Sequence, residues 1–100
     1  MIKISIYGNK AIDELSIKGH AGYEVEGKDI VCASVSSMLI TTINAIIRID
    51  SNSIDYEEKD GVCVKVVKHT EIIDILLDNL IALLQELKKQ YPKYIEIRRC

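Results

Sequence analysis

One histidine and one cysteine of this 100-residue chain could form a nucleophilic site. His20 closes a predicted strand, and Cys32 follows twelve residues later in a predicted helix. The thiolate is the nucleophilic form of cysteine, and a histidine within reach can act as its base, as in covalent catalysis. The spacing alone is a weak signal, because most free cysteines pack as small apolar side chains.

The start of the predicted helix strengthens the argument for Cys32. The helix is expected over residues 30–49, and Asp29 directly before it is a good N-cap residue. Cys32 then falls in the first turn, where the helix dipole and the unpaired N–H groups favour a thiolate. Asp29 has two open interpretations: it caps the helix, or it orients His20 as the third member of a triad.

The other candidates for reactive chemistry lack such a setting. Cys63 and Cys100 have no histidine nearby in sequence, and His69 has no nucleophile beside it. We interpret all three as structural or incidental, because cysteine reactivity needs a special environment. The three cysteines form no CxxC pair, so neither a disulfide framework nor a zinc site is indicated. We predict no metal and no cofactor.

Hydrophobic periodicity predicts the elements that must position these residues. Two hairpins are expected, and the second has a three-residue loop that ends at Gly61 in the left-handed conformation. That loop places Asp55 opposite Lys65 and groups the apolar residues on one face. A glycine-bearing loop precedes the first helix, and Thr70 caps the second. The predicted strands are 2–7, 15–18, 54–58, 62–67 and 94–98, the helices are 30–49 and 71–90, and the glycine-bearing loop covers 19–28.

These elements predict an α/β fold, a two-layer sandwich of order ββαββαβ whose mixed sheet is covered on one face by two helices. The first helix is apolar on most sides, so we expect it to be buried. The chain length and a hydrophobic content of 48% suit a single domain over residues 1–100. A net charge of −2 argues against direct binding of nucleic acid. The sequence shows no signal peptide, and we interpret it as having no apolar run that approaches the roughly 20 residues needed to span a membrane. We therefore predict a cytoplasmic protein without a membrane segment.

Two short elements of the sequence resemble one known family. Gly19-His20-Ala21, a short glycine-bearing loop, and the segment Asp29-Ile30-Val31-Cys32-Ala33 look like the signature of the bacterial ribosomal-processing cysteine proteases. Each element alone is weak, but their joint occurrence is quite specific. The resemblance in length and element order extends over the whole chain. Ser34 stands where family members often have alanine, and we expect no consequence because both residues are small.

The resemblance implies an activity and a set of site residues. Family members are cytosolic, dimeric cysteine endopeptidases that remove an N-terminal extension from a large-subunit ribosomal protein, number twenty-seven of the L series, after a hydrophobic, aromatic-containing motif. The catalytic histidine and nucleophile fall on His20 and Cys32, and an aspartate of less settled role falls on Asp29. The predicted substrate-binding residues flank these positions: Gly19, Ala21, Gly22, Tyr23, Val25, Ala33 and Ser36.

This resemblance leads to specific expectations and leaves two other functions open. We expect a thiol protease of ribosome biogenesis that acts as a homodimer on the precursor of that ribosomal protein. Backbone N–H groups near Cys32 and Ala33 are expected to stabilise the oxyanion, and residues 21–28 to form a mobile lid. The alternatives are a non-catalytic module that binds a peptide or the ribosome, and a thiol redox sensor in which Cys63 or Cys100 resolves oxidised Cys32.

Overall fold

The computed structural model describes residues 1–19 and 26–100, apart from the side chains of residues 26–29. The predicted lid residues 21–25 lie outside this range. The described elements follow the predicted order ββαββαβ. They are β1 (Ile2–Tyr7), β2 (Glu14–Lys18), α1 (Glu26–Ile49), β3 (Ile54–Glu58), β4 (Val62–Val66), α2 (Glu71–Gln90) and β5 (Ile95–Arg99).

The strands form a mixed sheet in the order β3-β4-β2-β1-β5. Both hairpins are antiparallel, and β5 returns beside β1 in parallel, with Ile4 opposite Ile97. The predicted register of the second hairpin is confirmed, because Asp55 pairs with Lys65 across a three-residue loop. Gly61 closes this loop at φ +106°. The predicted two-layer architecture is therefore confirmed, with the helices on one face.

Helix α2 covers the residues that the sequence predicts, 71–90. The Thr70 hydroxyl accepts a hydrogen bond from the Ile73 amide at 3.3 Å, which satisfies one of the unpaired donors of the first turn. The helix ends before Pro92, which cannot continue it. Its buried side chains are Ile73, Leu77, Leu80, Ile81, Leu84 and Leu87.

Helix α1 differs from the prediction in its start. It begins at Glu26, so residues 26–28 are helical rather than part of the loop, and Asp29 is inside the helix rather than at its N-cap. Gly27 argued for a loop, since glycine costs about 1 kcal/mol in a helix relative to alanine. The helix nevertheless includes Gly27.

Helix α1 is also buried on one side only, contrary to the prediction. Val31, Val35 and Ile46 are buried against the sheet, whereas Ile40 and Ile47 are exposed. In a two-layer fold no third layer covers the outer side of a helix, so its apolar residues there stay at the surface.

The prediction that no apolar run is long enough to span a membrane was wrong. Among the described residues, Ile30–Ile49 of α1 passes a test of length and composition for a membrane-crossing helix. Core helices of soluble proteins pass the same test, so one such helix is weak evidence. The buried side of α1 packs into the hydrophobic core of this fold.

Candidate active site

Cys32 lies at an apolar pocket between α1 and the sheet. Its side chain is half-buried and packs against the hydrophobic core. Cys32, Val35, Ser36 and Leu39 follow the i, i+3, i+4, i+7 spacing of one helical face, which brings all four to the same pocket. The pocket has a volume of about 170 Å³ and is lined by Ile2, Ile17, Gly19, Cys32, Val35, Ser36, Leu39, Gly61 and Val62.

Gly19 brings the chain preceding His20 to this pocket. It follows β2 with φ +93°, and a Cβ at this position would collide with the carbonyl oxygen of Met1. Only glycine therefore fits here without strain. Gly19 and Cys32 therefore line the same pocket.

Only some of the predicted site residues are described. Gly19, Cys32 and Ser36 line the pocket together, and Ala33 is exposed beside Cys32 on α1. The residues outside the described range are His20, Ala21, Gly22, Tyr23 and Val25. Asp29 belongs to α1, but its side chain is not described.

The earlier start of α1 corrects two arguments about the chemistry. Cys32 is the seventh helical residue and lies in the second turn, whereas the dipole effect falls off within the first turn. Only the first four N–H groups of a helix lack an intrahelical partner. The amides of Cys32 and Ala33 are therefore not the free oxyanion donors that the sequence argument expected. The first-turn argument for a stabilised thiolate does not hold either.

Sequence reasoning missed most of the residues that shape the pocket. Ile17, Leu39 and Val62 come from three different elements, and each reads in the sequence as an ordinary core residue. Strand pairing brings them together, because Ile17 of β2 lies opposite Val62 of β4. No local signal in the sequence marks these residues as part of a site.

His69 joins two parts of the fold in an Asp–His–Asp cluster. Its Nδ1 lies 2.8 Å from Asp74 Oδ1 and its Nε2 lies 2.8 Å from Asp13 Oδ1. Hydrogen bonds to Asp74 and Asp13 raise the pKa of His69, although partial desolvation opposes them. None of these residues lines the Cys32 pocket. The contacts of His69 join the β1–β2 loop to α2, which agrees with the interpretation of His69 as structural.

Neither of the other cysteines lines the pocket. Cys63 is half-buried on β4 opposite Ser16, and Cys100 is exposed at the end of the chain. Among the described residues no group of three or more His, Cys, Asp or Glu side chains could hold a metal ion. The geometry thus places one cysteine, Cys32, beside an apolar pocket that a bulky side chain could enter.

The sequence matches the family model described as cysteine protease Prp over residues 1–96. The chain belongs to this family. It is 26% identical over 100 residues to the ribosomal processing cysteine protease Prp of Staphylococcus aureus (strain NCTC 8325 / PS 47), covering 96% of this chain and 94% of the relative. Its identity to the Mycoplasma pneumoniae (strain ATCC 29342 / M129 / Subtype 1) protein of the same name is 32% over 98 residues, covering 95% and 91%. The chain is a cysteine protease, and the resemblance seen in residues 19–36 is confirmed.

Solved structures of the family share this fold. Two crystal structures of the ribosomal processing protease Prp from S. aureus match with a TM-score of 0.90 and 26% identity over 100% of both chains. One contains a covalently linked product peptide and the other a substrate peptide. A Streptococcus mutans protein, 24% identical, has the same fold with a TM-score of 0.80 over 99% of this chain and 93% of that one.

Proposed function

We propose that this chain is a cytoplasmic endopeptidase that removes the N-terminal extension of large-subunit ribosomal protein number twenty-seven of the L series. The cut is expected after a hydrophobic motif that contains aromatic residues. The observation that carries this proposal is the apolar pocket that Cys32 and Gly19 line together in a member of the cysteine protease Prp family. Residues 1–100 act as a single protease domain in this proposal.

The proposed mechanism is nucleophilic catalysis through a thioester. His20 takes the proton of the Cys32 thiol, and the thiolate attacks the scissile carbonyl carbon. The peptide C–N bond breaks as the leaving amine receives that proton from His20, and an acyl-thioester remains on Cys32. His20 then takes a proton from water, the hydroxide releases the acid product, and the proton returns to the sulfur.

Asp29 is proposed to orient His20. Its alternative role as the helix cap is lost, because α1 begins three residues earlier, at Glu26. The helix register places residue 29 one turn before Cys32, and residues three apart on a helix are neighbours on its surface. Ala21, Gly22, Tyr23 and Val25 are proposed to contact the peptide near His20, with Ala33 and Ser36 on the helix beside Cys32.

The test of the nucleophile is peptide cleavage by purified variants. Cys32→Ala should abolish cleavage of a peptide that carries the extension and its junction, whereas Cys63→Ser should retain it. In the wild type, mass spectrometry should detect an acyl adduct on Cys32. Cleavage by Cys32→Ala at the wild-type rate would falsify the assignment.

Mild alkylation at neutral pH separates the alternatives further. Slow modification of Cys32 together with no cleavage would favour a binding module in which Cys32 packs. Fast modification without cleavage, followed by a disulfide to Cys63 or Cys100 on oxidation, would favour a redox sensor. Fast modification together with cleavage is expected for the protease.

The pocket suggests a preference for a bulky apolar side chain next to the cut. Its walls are mainly aliphatic, including buried Ile17 and Leu39. One apolar contact in such a pocket is worth about 1–3 kcal/mol, or roughly 10–200-fold in specificity. Alanine replacement along the extension peptide should therefore cost most at the aromatic residues. A rate that falls only when a basic residue is replaced would contradict this specificity.

A homodimer is proposed as the working assembly. The groove between α1 and α2 is lined partly by apolar residues, among them Met38, Leu76 and Leu83, and Leu83 is exposed. A second copy covering such a surface would remove apolar area from water. Light scattering at tens of micromolar should give twice the chain mass, and Leu83→Glu should reduce it. A monomer mass for the wild type would contradict the dimer.

A further inference from the structure

A second apolar groove lies between α1 and the edge strand β3. Its volume is about 200 Å³, and its walls are Ile40, Ile43, Asn44, Ile47 and Tyr56. Ile40, Ile47 and Tyr56 are 53%, 40% and 38% exposed, so the groove is open along its length. It is separate from the groove between α1 and α2, which lies on another side of α1 and shares none of its lining residues.

The groove runs beside a free sheet edge. Strand β3 is the last strand of the sheet on its side, and within the described residues no strand pairs with its outer edge. The main-chain N–H and C=O groups along such an edge are available to an extended peptide, and alternate side chains of that peptide then point to the same face. The side chains that point toward the helices would meet the groove.

The groove continues the Cys32 pocket along α1. Ser36 lines the pocket and Ile40 lines the groove, and these residues are one helical turn apart. On the sheet side, Val62 lines the pocket, while Tyr56 in the groove pairs with Val64, two residues farther along β4. A turn of helix and two strand residues each span about 5–7 Å, so one extended chain can pass from the pocket into the groove.

The rim of the groove carries a carboxylate on the helix side of β3. Side chains alternate between the two faces of a strand, so Glu58 shares the face of Tyr56, whereas Asp55 and Glu57 lie on the opposite face. The Tyr56 hydroxyl donates a hydrogen bond to Glu58 Oε1 at 2.8 Å, which holds this carboxylate on the helix side of the strand. Partial burial, together with Glu58 as acceptor, raises the pKa of Tyr56, so the hydroxyl stays a donor. A basic side chain of a bound peptide complements the Glu58 carboxylate.

We propose that the α1–β3 groove is a remote subsite of the protease, which binds an extended part of the substrate with a bulky apolar side chain next to a basic one. This inference rests on the proposed endopeptidase function. The centre of the groove is roughly 17 Å along α1 from Cys32 at 1.5 Å per residue. An extended peptide at about 3.3 Å per residue covers that distance in about five residues. The apolar side chain therefore lies about five residues from the scissile bond.

The test uses three synthetic peptides and matched variants. One peptide contains the cleavage motif alone. The two long peptides extend this motif by seven residues, one at the N-terminal end and the other at the C-terminal end. Each extension carries a leucine and a lysine about five residues from the cut. Ile40→Ser and Tyr56→Ala remove groove contacts. Ile75→Ser is the control, because Ile75 is 57% exposed on α2, away from the groove. Binding is measured by fluorescence anisotropy in a Cys32→Ala background and kcat/KM in active protein.

For one of the long peptides, the groove variants should lose about 10-fold in affinity and in kcat/KM. Their affinity and kcat/KM for the short peptide should not change, and Ile75→Ser should match the wild type with every peptide. Glu58→Gln should weaken the same peptide, and Glu57→Gln, on the opposite face of β3, should not. Equal effects on short and long peptides, or no effect of the groove variants, would overturn the subsite while leaving the protease function intact.

Two other outcomes are distinguishable from these. If wild-type protein cleaves none of the peptides, the proposed function fails. If, in addition, the long peptides bind Cys32→Ala no more tightly than the short peptide, the subsite is also wrong. If Ile40→Ser and Tyr56→Ala turn a wild-type dimer into a monomer, a second copy occupies the groove and the subsite is wrong.

Discussion

Replacing Gly19 by alanine tests whether the backbone before His20 is held in place by the start of β1. Gly19 has φ +93°, and a Cβ there would meet the carbonyl oxygen of Met1. An L-residue in the left-handed region costs about 1–2 kcal/mol, and strained positions range over about 1–3 kcal/mol. The reduced entropy of the unfolded alanine chain returns about 0.4–1 kcal/mol. We expect a net loss of about 1–2 kcal/mol in the free energy of unfolding.

The collision cannot be relieved cheaply. The Ile2 amide donates a hydrogen bond to the Tyr94 carbonyl at 2.9 Å, and the Ile2 side chain is buried. The strand start is therefore anchored, and residue 19 must move instead. A shift of about 1 Å in a catalytic group can cost about 100-fold in rate. Gly19→Ala should therefore lower kcat/KM by about that factor under conditions where it is still folded.

Gly8→Ala is the matched control for this experiment. Gly8 also has a positive φ, +134°, and a Cβ there would collide with the Ala11 carbonyl oxygen in the β1–β2 loop. It should lose comparable stability in urea unfolding but retain kcat/KM per folded molecule, since it lies at the other end of the hairpin. Gly19→Ala with wild-type activity, or Gly8→Ala with the same activity loss, would refute the link between Gly19 and the catalytic site.

The remaining predictions concern stability. Because the pKa of His69 is raised in the folded protein, its contribution is fully present below its ordinary value of 6.5 and is lost as pH rises through the folded pKa. The free energy of unfolding of the wild type and of His69→Ala is measured in urea at about pH 5.5 and 8.5. The variant should lose more stability at the lower pH, by less than about 1 kcal/mol because the pairs with Asp13 and Asp74 are exposed. A larger loss at the higher pH would contradict the bridge. Thr70→Ala should cost about 1 kcal/mol in thermal or urea unfolding, whereas Thr70→Ser should cost little because serine keeps the capping oxygen. Equal losses in both variants would show that the cap contributes nothing.

Much of the fold could be predicted because its signals are local. Alternation in Ile2, Ile4 and Ile6 marks a half-buried strand, and Thr70 marks a helix start. The register of the second hairpin also followed from the sequence, since only one loop length keeps charges away from the core face. The start of α1 was not predicted, because Gly27 has a low helix propensity and was assigned to the loop, whereas the helix includes it.

The sequence by itself determined the order of the elements, the family and Cys32 as the candidate nucleophile, because periodicity and short motifs are properties of neighbouring residues. Only the tertiary structure decided what surrounds Cys32. The pocket joins Ile2, Ile17, Cys32 and Val62, which are far apart in the chain and meet because β1, β2 and β4 are adjacent in the sheet. The groove beside Tyr56 likewise exists only because β3 is an edge strand that packs under α1. Contacts between distant segments depend on strand pairing and packing, and neither leaves a local pattern in the sequence.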